Sequence, residues 1–350
     1  MTESKPRILH INLARGWRGG EQQTWLLIKE LAKRGYQQGL CAYPESPIAA
    51  AIRELEGIEV MSPSVCLLAP WRLQHWDIAH AHEGRGVYLA WWLKQTQHLR
   101  YIITRRMQQP PKSRFLTRQA YSNADTLIGI SKAACRSLQD FVPNRPVRRI
   151  SSSHSDRLPN PALVSQIRKD LGVGAGQTLI GHAGALVDAH KGQKLLIDAA
   201  RALLKRGYEF QLVFMGDGPD RNELEAYTSG LACVRFLGQV NNIADHIGAL
   251  DLFAFPSRHE GLGSVLIDVM AAGVPIVATD VGGIPDLVVH NESGYLVRPN
   301  NLKELLEGII KIMEQPVWAA EISRTALQSA NRLSPEYMAD RYCQAYTHIF

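Results

Sequence analysis

No apolar run in this chain approaches the roughly 18 residues that cross a bilayer. The longest, such as Val87 to Leu93, stop far short. The N-terminus lacks the charged-then-apolar build of a secretory leader, so a cytosolic location is the default expectation. Cysteine is sparse: Cys41, Cys66, Cys135, Cys233 and Cys343 are scattered, odd in number and form no Cys-x-x-Cys pair. That spacing excludes a disulfide framework and a paired-cysteine zinc site, leaving small core residues. Low-complexity tracts and short solenoid repeats are missing. Neither half carries Gly-x-Gly-x-x-Gly after its first strand, which argues against a dinucleotide-dependent oxidoreductase. Acidic side chains are absent from the whole stretch between Glu83 and Asp125.

What is present is ordinary in bulk and uneven in distribution. Hydrophobic residues make up 45% and charged residues 21% of 350 residues, enough for two domains with separate cores. The net charge of +6 hides an asymmetry. Residues 1–170 hold 25 Lys/Arg against 13 Asp/Glu, whereas residues 171–350 hold 14 against 20. A basic first half facing something anionic is one reading; ordinary solvated surface charge is the other.

The pattern of elements runs twice. Arg7 to Leu13 reads as a buried strand, Ala14 to Gly20 as a loop, and Glu21 to Lys33 as a helix stopped by Gly35. Further buried strands are expected at Asp77–Ala81, Tyr101–Ile103 and Thr126–Ile130. Val142 to Pro161, with four prolines and the Ser151–Ser153 cluster, reads as an interdomain linker. The pattern then restarts. Strands are expected at Thr178–Gly184, Gln211–Met215, Leu252–Phe255 and Ile276–Ala278. Helices are expected after Lys191-Gly192 and over Ser264–Ala272. The expected fold class is α/β: two Rossmann-like, doubly wound parallel-sheet domains facing across a cleft, with ligands at the carboxyl ends of the strands. The first domain is placed at 1–155 and the second at 156–334. A final helix at 335–350, capped by Ser334 with Pro335 at its first position, is expected to cross back to the first domain.

The most informative segment is Glu260-Gly261-Leu262-Gly263-Ser264 and its continuation to Thr279. A strand ends near Pro256, two glycines let backbone approach a ligand closely, and a helix begins near Ser264. Backbone N–H groups at a helix start suit an anion such as a diphosphate. Asp268, about one turn in, can accept from vicinal hydroxyls as Rossmann-type acids do with ribose. A capped helix carrying surface acids fits the same residues. This segment resembles the family 4 retaining glycosyltransferases of the GT-B type, whose signature is Glu-x7-Glu. The first Glu matches Glu260, which in the family touches the donor sugar. The second falls on Asp268, one methylene shorter, at the family's ribose-binding position. The similarity continues through Gly273-Val274-Pro275 and Gly282-Gly283-Ile284-Pro285-Asp286, where Glu is more usual at the last position.

Other stretches are similar as well. Gly19-Gly20-Glu21 resembles the first loop of the family, which approaches the donor phosphates. His80-Ala81-His82 resembles the strand whose last histidine lines the reaction centre, making His82 a candidate for the sugar and leaving His80 in the core. His10, His182 and His190 are read as structural. Phe236-Leu237-Gly238-Gln239-Val240 resembles the loop whose backbone meets the nucleobase, and Lys191 matches a phosphate-binding lysine. Many members carry Arg six residues before that lysine; here the position is Ala185, so Arg105 or Arg106 are alternatives for the missing contact. The resemblance implies transfer of a hexose-type sugar from a nucleotide-sugar donor with retention, in which the leaving phosphate accepts the acceptor proton. Lys191 and the helix start at Ser264 would stabilise the leaving diphosphate. Asp-x-Asp occurs nowhere, so no metal is expected to bridge it and no cofactor is called for.

The acceptor side is expected in the first domain. Eight basic residues lie in the acid-free span, among them Arg105, Arg106, Lys112 and Arg114, and six of the seven tryptophans lie in the first 92 residues. Such a composition suits an anionic membrane surface or a lipid-linked acceptor, hence a peripheral position on the inner face of the cytoplasmic membrane. No nucleic-acid-binding motif accompanies the charge. Lipopolysaccharide or a related envelope glycan is the expected setting, by association with the family. Two alternatives stay open: a sugar-nucleotide epimerase or hydrolase on the same scaffold, and a nucleotide-binding module that has lost turnover, for which Ala185 and Asp268 speak.

Overall fold

Short apolar strands alternating with amphipathic helices build two parallel sheets, each buried on both faces as parallel sheets must be. The computed structural model describes residues 5–349. The chain divides into two compact units: residues up to Ser153 with the segment from Ser334 onward, and His154–Leu333. The division falls two residues before the expected domain boundary.

The first unit holds β1 (Ile8–Ile11), β2 (Gln38–Cys41), β3 (Ile58–Met61), β4 (Ile78–Ala81), β5 (Arg100–Arg105), β6 (Thr126–Gly129) and β7 (Val147–Arg149). They pair in the order β3-β2-β1-β4-β5-β6-β7, all parallel. The order reverses between β1 and β4, where β1 connects away to one side and β4 to the other. Ligands of open α/β sheets bind at the carboxyl ends of such a strand pair. The expected linker is corrected here. Val147–Arg149 is not connecting chain but the edge strand β7, held against β6 through Leu127, Ile128 and Gly129. Its prolines flank the strand rather than interrupt it, as an edge strand tolerates.

The first helix, Gly19–Lys33, begins two residues earlier than its apolar spacing indicates. The Arg18 N–H donates to the Glu21 carboxylate at 2.9 Å, which fixes the helix start at Gly19. Gly19 and Gly20 therefore form the first turn of this helix rather than a loop. The last helix, Pro335–Thr347, starts where Ser334 and Pro335 indicate: the Ser334 hydroxyl accepts the Tyr337 N–H at 3.2 Å. It packs Met338, Ala339, Tyr342, Ala345 and Tyr346 onto Ile8, Leu26, Ile78, Ile102 and Ile128 of the first unit. Two fully buried tyrosines contribute roughly 1.5–3 kcal/mol each from apolar burial, so this terminal segment is part of the core.

The second unit holds β8 (Thr178–Ala183), β9 (Phe210–Met215), β10 (Val234–Gly238), β11 (Leu252–Phe255), β12 (Ile276–Thr279) and β13 (Tyr295–Val297). The order is β10-β9-β8-β11-β12-β13, again all parallel, reversing between β8 and β11. Phe236 and Leu237, expected in a loop, lie in β10; only Gln239 and Val240 follow its end. Val234 and Phe236 supply a β-branched and an aromatic residue to the pairing with β9, and Phe236 stacks on Phe214 with ring centroids 4.9 Å apart. Among the described residues no helix is long and apolar enough to cross a membrane.

Candidate functional site

In the second unit the expected chemistry gathers at the carboxyl ends of β8 and β11. Lys191 closes the four-residue helix Asp188–Lys191, and Gly192 follows it in the left-handed region at φ 67°. A Cβ at Gly192 would lie 2.3 Å from the Pro256 carbonyl oxygen, so only glycine lets the chain pass this close to the end of β11. The approach brings the Lys191 ammonium onto the Glu260 carboxylate as an ion pair, with Nζ 5.2 Å above the centre of the Phe255 ring. The Ser257 hydroxyl donates to the same Glu260 oxygen, Oε1, at 3.0 Å. Arg258 fastens the two loops together: its backbone N–H donates to the His190 carbonyl at 2.8 Å, and its guanidinium pairs with Asp188 at 3.2 Å and donates to Asn300 Oδ1 at 2.6 Å. Lys191 and Glu260 are thereby held by backbone on both sides, the kind of preorganisation a charge-stabilising site needs.

The remaining donor-side candidates lie along the same edge. Leu262 is buried, and Gly263 adopts φ 78°, a conformation disfavoured for L side chains. Gly261 and Ser264 are half-buried, and the helix runs over Val265–Ala271. Asp268 Oδ1 accepts the Ser155 N–H at 2.6 Å. Burial pushes this carboxyl up, opposed by that hydrogen bond. One of its oxygens is thus already engaged by the chain itself. Gln239 is exposed just beyond β10, and Gly238 accepts the Gly216 N–H at 2.7 Å. Ala185 is exposed, its carbonyl accepting from Gln193 Nε2 at 2.9 Å. His182 is buried among Phe214, Phe253 and Phe255, and burial lowers its pKa to about 4.

In the first unit the corresponding strand ends carry histidines. His10 on β1 and His80 on β4 are register partners, and His82 follows β4. His10 Nδ1 and His82 Nε2 are 2.9 Å apart, and His10 Nε2 is 3.0 Å from Gln38 Oε1. His80 bonds the Tyr346 hydroxyl at 2.7 Å through Nδ1 and the Thr104 hydroxyl at 2.8 Å through Nε2. One potential ligand nitrogen from each of the three rings falls within 4.8 Å of the others, close enough to suggest a metal. Five of their six ring nitrogens are committed to protein partners, however, and the Arg106 guanidinium bears on His80 and His82. A cation beside a cation is opposed, so the rings read as two hydrogen-bonded groups, His10 with His82 and Gln38, and His80 with Thr104 and Tyr346. Burial holds all three imidazoles in the neutral form, His10 with its pKa lowered to about 4. Arg106 itself lies against Gly20, where a Cβ would sit 3.4 Å from Arg106 Cδ.

Similarity to known proteins decides the family. Residues 177–315 match the family model described as Glycosyl transferases group 1. The lipopolysaccharide core biosynthesis mannosyltransferase LpsB of Rhizobium meliloti (strain 1021) is 31% identical over 251 residues, covering 68% of this chain and 67% of that one. The chain belongs to the group 1 glycosyl transferases. The N-acetyl-alpha-D-glucosaminyl L-malate synthase of Bacillus anthracis is 23% identical over 246 residues, 69% of this chain and 63% of its own length. Across these and the other curated relatives compared, the matched stretch covers from 40% to 72% of the relative's own length. The crystal structure of Anabaena Alr3699/HepE in complex with UDP and glucose superposes with a TM-score of 0.84 over 98% of this chain and all of that one, at 20% identity. That agreement establishes the GT-B fold.

For this group 1 glycosyl transferase chain, the structure brings Lys191 and Glu260 together and sets the Gly261–Ser264 turn beside them in sequence. It places Gly20 against Arg106 and sends His82 into the interior with His80. Arg105 is half-buried, its Nε donating to the Gln109 carbonyl at 3.2 Å and a guanidinium N–H to the Tyr121 hydroxyl at 3.3 Å. Arg105 and Arg106 are therefore not free surface cations, whereas Lys112 and Arg114 are exposed. Three participants went unread in the sequence: Ser257, Gln38 and His10 as a partner of His82. For His10 the signal was there, a histidine inside Ile8-Leu9-His10-Ile11; which strand it would face was not.

Proposed function

We propose that this chain is a retaining glycosyltransferase that moves a hexose-type sugar from a nucleoside-diphosphate donor to the hydroxyl of a glycan or lipid-linked acceptor without a metal. The observation that carries this reading is the Lys191–Glu260 pair, buttressed by Ser257, in the unit that matches the family model. In the reaction the anomeric carbon–phosphate oxygen bond breaks and a bond to the acceptor oxygen forms on the same face. The acceptor proton passes to the leaving phosphate oxygen. Lys191 offsets the charge that develops on that phosphate, and Glu260 holds the lysine in place and orients the sugar. Asp268 receives the ribose through the carboxylate oxygen not engaged by Ser155. UDP in the HepE complex and mannosyl transfer by LpsB support a nucleotide-sugar donor and an envelope-glycan acceptor as classes.

A peripheral position on the inner face of the cytoplasmic membrane completes the proposal. Its support is an exposed basic and apolar cluster: Met107, Lys112, Arg114, Phe115 at 77% exposure, and Leu116. Vesicle flotation checks it. Binding to anionic but not neutral vesicles, lost on Phe115→Ser with Lys112→Glu and Arg114→Glu, is expected; equal behaviour of both vesicle types would refute it.

The catalytic reading is tested by calorimetric titration with UDP, GDP, ADP and NAD, with and without EDTA, on the wild type and Glu260→Ala. Binding of one nucleoside diphosphate, insensitive to EDTA, with donor turnover strictly dependent on acceptor, is expected. Turnover without acceptor would favour an epimerase or hydrolase, binding without turnover a degenerate module, and binding of NAD alone would overturn the assignment.

A further inference from the structure

His82 is backed by a chain of hydrogen bonds whose direction can be worked out atom by atom. It begins at the Ile28 carbonyl, which can only accept. Gln38 Nε2 lies 3.0 Å from it and donates. That contact settles which end of the amide is which, so Gln38 Oε1 is the atom 3.0 Å from His10 Nε2. An amide oxygen accepts, and His10 Nε2 must therefore carry a hydrogen. The His10 ring is neutral, since it is buried without an acid partner among the described residues, so its Nδ1 is a bare lone pair. His82 Nε2 lies 2.9 Å from that lone pair and has to donate to it. His82 is neutral on the same grounds, with the Arg106 charge bearing on it as well. Its remaining nitrogen, Nδ1, is then an acceptor. This atom is buried and has no hydrogen-bonding partner among the described residues.

We propose that the Ile28 carbonyl, Gln38 and His10 form a relay that locks His82 in the Nε2–H tautomer and presents its Nδ1 as the acceptor for a substrate hydroxyl. Gln38 and His10 are thus positioning residues of the site. The inference rests on the reading of His82 as a sugar-contacting group. Each side chain of the relay is buried, His10 and His82 to 0% and 2% exposure and Gln38 to 2%, so no solvent competes for the bonds. The alternative tautomer of His82 would leave two bare lone pairs facing each other across 2.9 Å. The surroundings favour a hydroxyl as the occupant. Arg106, whose charge bears on His82, also has its Nε buried without a partner among the described residues, so this part of the first unit leaves both an acceptor and a donor open, and a hydroxyl can serve either. The location agrees: His10 and His82 stand at the carboxyl ends of β1 and β4, where the strand order reverses.

The test is nitrogen-15 NMR of the imidazoles in the full-length, ligand-free protein at pH 7.5, with His10→Phe and His82→Gln used to assign the signals. Both His10 and His82 are expected as Nε2–H tautomers, and Gln38→Met is expected to leave His82 as a mixture of the two. A wild-type His82 with its hydrogen on Nδ1, or a His82 tautomer untouched by Gln38→Met, overturns the relay. The wild-type spectrum decides the point even where a variant folds poorly. A kinetic readout follows, using whichever of UDP-, GDP- or ADP-glucose the wild type consumes. Gln38→Met should lower kcat/KM for that donor at least about tenfold, as losing one oriented hydrogen bond does, with affinity for the matching nucleoside diphosphate unchanged. Failure of the transferase reading shows itself separately, as absence of nucleoside-diphosphate binding in the wild type, and the tautomers read from the spectrum stand regardless.

Discussion

Acidification should weaken the first unit more steeply than the second. His10, His80 and His82 are buried and neutral in the fold, each with its pKa held below the ordinary 6.5 by desolvation. The unfolded chain binds a proton at each near pH 6.5, while the folded chain does not until about pH 4 for His10. Stability from this source is therefore complete above pH 6.5 and is lost as the pH falls from there toward 4. Between pH 7.5 and 5.5 one such histidine contributes a loss of about 1.3 kcal/mol, and three contribute about 4 kcal/mol. The groups around the trio do not cancel this. Arg106 stays charged, Tyr342 and Tyr346 are pushed up by burial, and the Asp77 carboxyl, held low by Arg7, titrates below the window. Six of the seven tryptophans lie in the first 92 residues, so tryptophan fluorescence reports chiefly on this unit. Urea unfolding followed by fluorescence at the two pH values is the assay. A change below about 1 kcal/mol would refute the reasoning, because it is less than the contribution of even one imidazole that stays neutral in the folded protein.

Three further outcomes follow from the same geometry. Lys191→Ala should weaken nucleoside-diphosphate binding by about 10- to 100-fold, the range for one charge-assisted hydrogen bond, as read by calorimetry; unchanged affinity would remove Lys191 from the phosphate site. Tyr346→Phe should cost about 1–3 kcal/mol in urea unfolding, because His80 Nδ1 loses its partner in a buried setting. Gly216→Ala should destabilise the second unit by about 3 kcal/mol, because the backbone there sits at φ 127° and a Cβ would lie 2.1 Å from the Gly184 carbonyl oxygen; a thermal melt within a degree of wild type would contradict that contact.

The fold was legible because its signals are local. Continuous apolar runs such as Leu252–Phe255 and Ile276–Ala278, set between helical stretches, are what a parallel sheet buried on both faces requires. The last helix announced itself through Ser334 and Pro335. What escaped was set by neighbours distant in the chain. Val147–Arg149 is three residues long with two arginines and no buried side chain, and becomes a strand only because β6 is there to pair with it. The start of the first helix depended on a single bond between Arg18 and Glu21 that apolar periodicity does not register.

The same division runs through the site. Glu260 and Lys191 were found because their chemistry sits in a contiguous, glycine-marked segment and a Lys-Gly pair. Ser257, three residues before Glu260, was missed because a serine hydroxyl has many uses and only the turn's geometry aims it at Glu260 Oε1. The histidines show the limit most clearly. His80 and His82 are two apart along the chain, and the His82 N–H extends the ladder by donating to the Ile11 carbonyl at 3.0 Å, so the alternation of a strand turns both rings to one face and cannot separate their roles. The structure brings their ring centroids to 3.8 Å. Both rings are then buried, and what separates them is their partners. His80 is closed off by Thr104 and Tyr346, whereas His82 is bonded, among the described residues, on one side only, through His10. Candidacy for substrate contact therefore follows from an unspent nitrogen rather than from exposure, and an unspent nitrogen is a property of the assembled sheet that no local reading of His80-Ala81-His82 contains.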